Sequence, residues 1–200
     1  MKSTVTLDLV GPMWTSPFSV ERPVVFVDGG TRWRPAQAGQ PTVSVGDGDS
    51  GDQPLDFKLN PDKDFSDLAF VLGELPKSVR QLNLYGFLGG RRDHEVAGFG
   101  EIHRFLLTRK EEAMARFFDL SGVKVLAAIG PTEANIQGRF SLMVMETSEV
   151  RLAGACQYKL DPPRILRPFS SHGLSNEGTG KVRIASEKPY FLFLNPSDTV

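Results

Sequence analysis

An α/β domain over residues 1–110, followed by an all-β domain over residues 111–200, is the fold class that this sequence predicts. Two observations carry it. In the first half, short apolar runs end in loops rich in glycine and aspartate, as buried strands of an α/β sheet do. From about residue 112 the chain turns to short β-branched and aromatic runs separated by turn signals. Length and composition allow this: 200 residues with 40% hydrophobic and 24% charged side chains suffice for a real core.

The elements follow in order. Val5–Val10 reads as a strand, and Gly11-Pro12 follows it where a helix would be expected. Val24–Val27 runs into Asp28-Gly29-Gly30, and Val43-Ser44-Val45 runs into Gly46-Asp47-Gly48-Asp49-Ser50. Ser66 is a natural N-cap for a helix over 67–75 that Pro76 would stop. Leu82-Asn83-Leu84-Tyr85 is a strand entering Gly86-Phe87-Leu88-Gly89-Gly90. A second helix is expected over 93–107, because Val96, Phe99, Ile102, Phe105 and Leu106 recur at helical spacing. Gly98 and Gly100 oppose it by about 1 kcal/mol each relative to alanine. Residues 113–118 are readable as a helix end or as a first strand. Strands are expected over 123–128, 140–145, 150–153, 181–185 and 190–194, with turns at Gly130-Pro131, Asp161-Pro162-Pro163 and Gly178-Thr179-Gly180. These form a small antiparallel β domain.

Several function classes find no support. The net charge is −1 and no long basic run appears, so no nucleic-acid surface is expected. No stretch approaches the roughly 20 apolar residues of a membrane span. The first residues interrupt their apolar run too early for a signal peptide. Cys156 is the only cysteine, which fits a reducing, cytoplasmic compartment. It is expected to be a small buried residue, and Trp14 and Trp33 are expected in the core. His94 and His103 lie too far apart along one helix to share a metal.

The chemistry sits in the loops. Ligands of open α/β sheets bind beyond the carboxyl ends of the strands, where Asp28, Asp47 and Asp49 fall, and Asp67 opens a helix. Carboxylates brought together repel unless a cation neutralises them, and hard oxygen ligands suit Mg²⁺, which also binds substrate phosphates. The run from Asp47 to Asp52 also has the composition of a solvated turn. It is not an EF-hand loop, because its sixth and twelfth positions are Asp52 and Lys58. Gly86 to His94 forms a second signal. Its glycines allow backbone N–H groups to approach phosphate at a helix start, and Arg91 or Arg92 would neutralise phosphate oxygens. The alternative reading is a tight turn with a surface ion pair.

Taken in order, Asp28-Gly29-Gly30, Gly46-Asp47-Gly48-Asp49-Ser50, Asn60-Pro61-Asp62-Lys63-Asp64-Phe65-Ser66-Asp67 and Gly89-Gly90-Arg91-Arg92-Asp93-His94 resemble the successive signatures of the thiamine pyrophosphokinase family. Gly154-Ala155-Cys156-Gln157-Tyr158-Lys159-Leu160 and Ser175-Asn176-Glu177 are similar to that family's second domain. The resemblance implies an α/β nucleotide-binding domain followed by a β-sandwich domain, in a homodimer with active sites in clefts at the dimer interface. It implies that diphosphate passes from ATP to the hydroxyl of thiamine. Asp47, Asp49 and Asp67 would hold Mg²⁺, with Asp28 and Asp93 in the same acidic pocket and Arg91 and Arg92 near the ATP phosphates. Gly29, Gly30, Lys63, Gly89 and Gly90 would face the co-substrate. Ser175, Asn176 and Tyr158 would approach thiamine. The chain departs from the pattern in its short Asp28–Gly46 connection and in the Glu95-Val96-Ala97-Gly98 that follows His94. Two alternatives therefore stay open: a related diphosphokinase with another alcohol acceptor, or a non-catalytic binding module on the same fold.

Overall fold

The computed structural model describes residues 5–49, 54–109 and 112–195. Within them the chain forms two compact units. The first comprises residues 1–105 and 115–122, the second residues 106–114 and 123–200.

The first unit contains β1 (Val5–Val10), β2 (Val24–Val27), β3 (Thr42–Gly46), the short β4 (Phe57–Lys58), α1 (Asp67–Glu74), β5 (Val79–Tyr85), most of α2 (Arg92–Arg109) and β6 (Met114–Asp119). Its strand order is β6-β5-β1-β2-β3-β4. From β5 to β4 every pairing is parallel, with Leu9 opposite Leu84, Val10 opposite Phe26 and Val27 opposite Val45. Parallel strands bury both faces, so their sequences run apolar without alternation. Val24–Val27 is buried throughout for that reason. One face carries Val10, Val24 and Phe26, against which Trp14, Phe18, Val20, Trp33 and Tyr85 pack. An irregular segment thus covers this face, where a doubly wound sheet would have a helix.

Both expected helices form. Ser66 caps α1 by accepting a bond from Ala69 N at 3.1 Å. The second helix runs somewhat beyond its expected ends, and Phe99, Ile102, Phe105 and Leu106 form its buried stripe. Asp28-Gly29-Gly30, read from sequence as a loop, opens a two-turn 3₁₀ helix over Asp28–Trp33. The ambiguous 113–118 stretch is strand β6.

The second unit contains β7 (Gly122–Ala128), β8 (Thr132–Val144), β9 (Ser148–Cys156), β10 (Leu160–Leu166), β11 (Asn176–Ala185) and β12 (Tyr190–Asn195). Its order is β10-β9-β11-β8-β12-β7, and its pairings are antiparallel. Side chains alternate along β8: Ile136, Phe140, Leu142 and Val144 point into the core while Gln137 and Arg139 face out. Strand β8 begins eight residues before the expected 140. Its N-terminal half is polar on the outward face, and nine consecutive pairs with β11 hold it extended. Strand β10 lies outside the sequence expectation, because Pro162 and Pro163 interrupt it; proline is tolerated on an edge strand.

The protein is thus largely β-structured. The α/β expectation for the N-terminal half holds only in part, since two α-helices accompany six strands among its described residues.

Candidate active site

Three carboxylates meet in the first unit. One oxygen from each of Asp28, Asp47 and Asp67 lies within 4.8 Å of the others. The sheet explains the meeting. Strands β2 and β3 are parallel neighbours, so their carboxyl ends deliver Asp28 and Asp47 side by side. Gly46 permits the approach: a Cβ there would lie 3.3 Å from the Asp28 Cα. Asp28 itself adopts a left-handed backbone with φ of 51°. Aspartate tolerates this region better than most residues, and such strain gathers at functional sites. Asp67 enters from the first turn of α1, fixed by the Ser66 cap.

Lys63 reaches into the group. Its Nζ lies 2.9 Å from Asp67 Oδ1 and 3.7 Å from Asp47 Oδ2, with its side chain only 10% exposed. The contact with Asp67 is a short ion pair to its buried Oδ1. Burial pushes the Asp67 carboxyl above its usual range against the pull of Lys63, and the charges of Asp28 and Asp47 add to the rise. Asp47 is held below its usual range, chiefly by the backbone N–H of Asp49, which donates to Oδ1 at 3.2 Å. The bond to Asp67 raises Lys63. Three carboxylates against one ammonium leave negative charge that a divalent cation would neutralise. Hard oxygen ligands of this kind fit Mg²⁺.

The other expected residues are placed differently. Asp49 is exposed and borders the group through its bonds to Asp47, outside the three-carboxylate cluster. Ser50 lies outside the described residues. Asp93 is not among the three clustered carboxylates. It is exposed and pairs with Arg91 through two bonds, the shorter 2.6 Å. Each partner shifts the other toward its charged form. Proximity in sequence explains this, since Arg91 meets an acid two residues away before any distant one.

Gly29 and Gly30 are buried in the 3₁₀ turn, where a side chain on Gly30 would strike the Val10 carbonyl. Gly89 and Gly90 have φ of 81° and 72° and, with Arg92, are exposed at the start of α2. The Gly89 N–H already has an acceptor, Glu95 Oε1 at 3.2 Å. Sequence reasoning missed this role; the signal was an acid one turn into a helix behind a glycine loop. It also missed Asp56, which accepts from Ser44 N at 2.8 Å and pairs with Arg34 at 2.7 Å, tying residues 54–58 to β3.

In the second unit, Asn176 is buried and its amide makes three hydrogen bonds. Its Oδ1 accepts from Tyr158 N at 3.0 Å and Glu177 N at 2.8 Å, and its Nδ2 donates to Tyr158 O at 2.7 Å. It therefore positions Tyr158, which is 60% exposed. Ser175 stands beside it with φ of 57°, its N–H donating to Ser141 Oγ at 3.2 Å. Cys156 is buried, and burial raises its thiol. No described helix is long and apolar enough to cross a membrane.

No family model and no curated protein matches this chain. Solved structures do. Thiamine pyrophosphokinase from Bacillus subtilis aligns with a TM-score of 0.68 at 18% identity, over 96% of this chain and 100% of that one. The thiamine pyrophosphokinase from Geobacillus thermodenitrificans aligns at 0.66 and 20%, over 98% and 100%. That from Candida albicans aligns at 0.64 and 11%, over 94% and 87%. At such identities the likeness concerns the path of the chain, and this chain has the fold of the thiamine pyrophosphokinases.

Proposed function

We propose that this protein is a thiamine pyrophosphokinase. It would move the diphosphoryl group of ATP onto the hydroxyl of thiamine, giving thiamine diphosphate and AMP. One observation carries the reading: one oxygen each of Asp28, Asp47 and Asp67 lie within 4.8 Å of one another, with Asp28 and Asp47 at the carboxyl ends of the parallel strands β2 and β3. The shared fold and the ordered motifs support it.

Asp28, Asp47 and Asp67 would hold Mg²⁺, with Asp49 keeping Asp47 ionised and oriented. When bound, the ion neutralises charge on the phosphate oxygens of ATP. Lys63 balances part of the carboxylate charge and fixes Asp47 and Asp67 relative to each other. The exposed Gly89-Gly90 backbone and Arg92 would receive phosphate oxygens, and Arg91 would join them by leaving Asp93. Tyr158, set by Asn176, would wall the thiamine ring, with Ser175 beside it. The hydroxyl oxygen of thiamine forms a bond to the β-phosphorus as the bond from the β-phosphorus to the AMP oxygen breaks, and the hydroxyl proton is released to a nearby carboxylate or to water. Much of the acceleration comes from holding these groups in line. A single cysteine fits a cytoplasmic setting, and the sequence resemblance supports a homodimer.

The test incubates the protein with ATP, Mg²⁺ and thiamine and follows AMP and thiamine diphosphate. Stoichiometric formation of both is expected, with loss of turnover in Asp47→Asn. Folded protein that yields neither product with any divalent ion overturns the reading.

A further inference from the structure

The connection from β3 to β4 is short for what it does. The two strands are parallel neighbours, yet only residues 47–56 lie between them. Parallel strands need a crossover of about a dozen residues or more, usually through a helix. This crossover carries Asp47 and Asp49, so whatever fixes its two ends also fixes a carboxylate of the acidic group.

A three-residue clip pins the end at β4. Strand β4 pairs with Val45 and Gly46 of β3, which leaves the Ser44 N–H beyond the ladder. Ser44 is 1% exposed, and an unpaired N–H there would be costly. The Asp56 carboxylate accepts that N–H at 2.8 Å and the Ser44 hydroxyl at 3.1 Å, and the Asp56 N–H donates back to Ser44 Oγ at 3.0 Å. Arg34 closes the clip. Its Nη1 donates to Ser44 Oγ at 2.8 Å and pairs with Asp56 at 2.7 Å, while its Nε donates to Thr42 Oγ1 at 3.3 Å.

Arg34 reaches the clip from the element that carries another clustered carboxylate. It ends the 3₁₀ helix that Asp28 opens, and its N–H donates to Thr31 O at 3.0 Å. One side chain therefore ties the turn of Asp28 to the crossover of Asp47. The tie passes to Asp47 through the backbone. A Cβ on Gly46 or Gly48 would lie 3.8 Å or 3.9 Å from Leu55 Cδ1, and one on Gly48 would lie 3.4 Å from Lys58 Cε. The Leu59 N–H donates to Gly46 O at 2.8 Å. Gly46-Asp47-Gly48 thus lies along residues 55–59, and Asp56 holds those residues to β3.

Such bracing answers a physical need. Asp28, Asp47 and Asp67 repel one another before any cation arrives, and Lys63 stands 3.7 Å from Asp47. Groups behind metal ligands orient them and set the affinity of the site. We propose that Arg34, Asp56 and Ser44 are positioning residues that brace the Asp28 turn against the Asp47 loop, so that both carboxylates can hold one divalent cation. This rests on the metal site of the diphosphokinase reading and adds to it residues that touch neither metal nor substrate.

Titration of the full chain with Mn²⁺ alone, following the free ion by its EPR signal, tests this. Charge and geometry predict opposite signs for Arg34. Removing a positive side chain from the neighbourhood of a cation site should by charge alone tighten the ion. Loss of positioning should weaken it. Arg34→Ala is expected to raise the Mn²⁺ Kd roughly tenfold. Arg34→Gln, which keeps a donor toward Ser44, should raise it less, and it carries the test if the alanine variant does not fold. Arg22→Ala breaks the Asp8 pair elsewhere in the same unit and should lower Tm without changing the Mn²⁺ Kd. An unchanged or lower Kd in the folded Arg34 variants overturns the proposal, as does an equal weakening in Arg22→Ala, and both results leave the metal site standing. Wild-type protein that binds no Mn²⁺ overturns this proposal and the diphosphokinase reading together.

Discussion

At Asp67 a buried carboxylate sits beside Asp28 and Asp47 with Lys63 as its cationic neighbour. Like charges held together cost stability that function uses. Asp67→Asn is therefore expected to raise the Tm of the metal-free protein while abolishing the Tm increase that Mg²⁺ gives the wild type. Thermal unfolding with and without Mg²⁺ checks both halves, and an undiminished Mg²⁺ effect would remove Asp67 from the metal site. Asp8 offers a pH test outside that site. It is 2% exposed on β1, bonded by Asn83 at 2.9 Å and paired with Arg22 at 3.4 Å. Burial nevertheless raises its carboxyl above 3.8. The stability that Asp8 contributes is then fully present below that value and is lost as pH rises through the higher folded one. Relative to wild type, Asp8→Asn should gain Tm as pH rises through this window and level off above it. A difference that stays flat with pH contradicts the buried-acid account. Asp47 and Asp67 are legible in the sequence as candidate ligands because each stands in a distinctive local motif. Asp28 is legible only as a companion, since its nearness to Asp47 depends on strand pairing and on Gly46.

Helix α2 shows how far an element is written in its own residues. Its apolar stripe overrides two internal glycines, because burying Phe99, Ile102, Phe105 and Leu106 outweighs their backbone entropy. A methyl group on Gly100 would meet nothing within 4 Å, so Gly100→Ala should stabilise the protein by about 0.5–1 kcal/mol. Chemical denaturation measures this, and a loss of stability would place a neighbour against that face. At the start of the helix, Glu95 occupies the Gly89 N–H that a phosphate would need. Glu95→Ala should tighten nucleotide binding several-fold, read as a lower Kd for ATP. Unchanged affinity would mean that phosphate does not use this loop. Strand β10 marks the opposite case. Its prolines argue against a strand locally, yet pairing along β9 recruits the segment as an edge.

Each of the two units has its own core. In the second, Phe140 is fully buried among Leu126, Leu142, Val182 and Leu192. Phe140→Ala should lower stability by about 3–5 kcal/mol, read from the urea midpoint. A shift of less than about 1 kcal/mol would be incompatible with a close-packed site there. Local pattern determined the apolar strands, the Ser66 cap, the helical stripe and the order of the acidic and glycine loops, because these depend on residues a few positions apart. The tertiary structure decided which of the distant groups meet. It put Asp28 with Asp47 and Asp67, left Asp49 at their border, and engaged Asn176 with the Tyr158 backbone, whereas the Arg91–Asp93 pair is local. The physical reason is that a side chain's neighbours are set by strand order and long-range pairing, and no short stretch of sequence contains them.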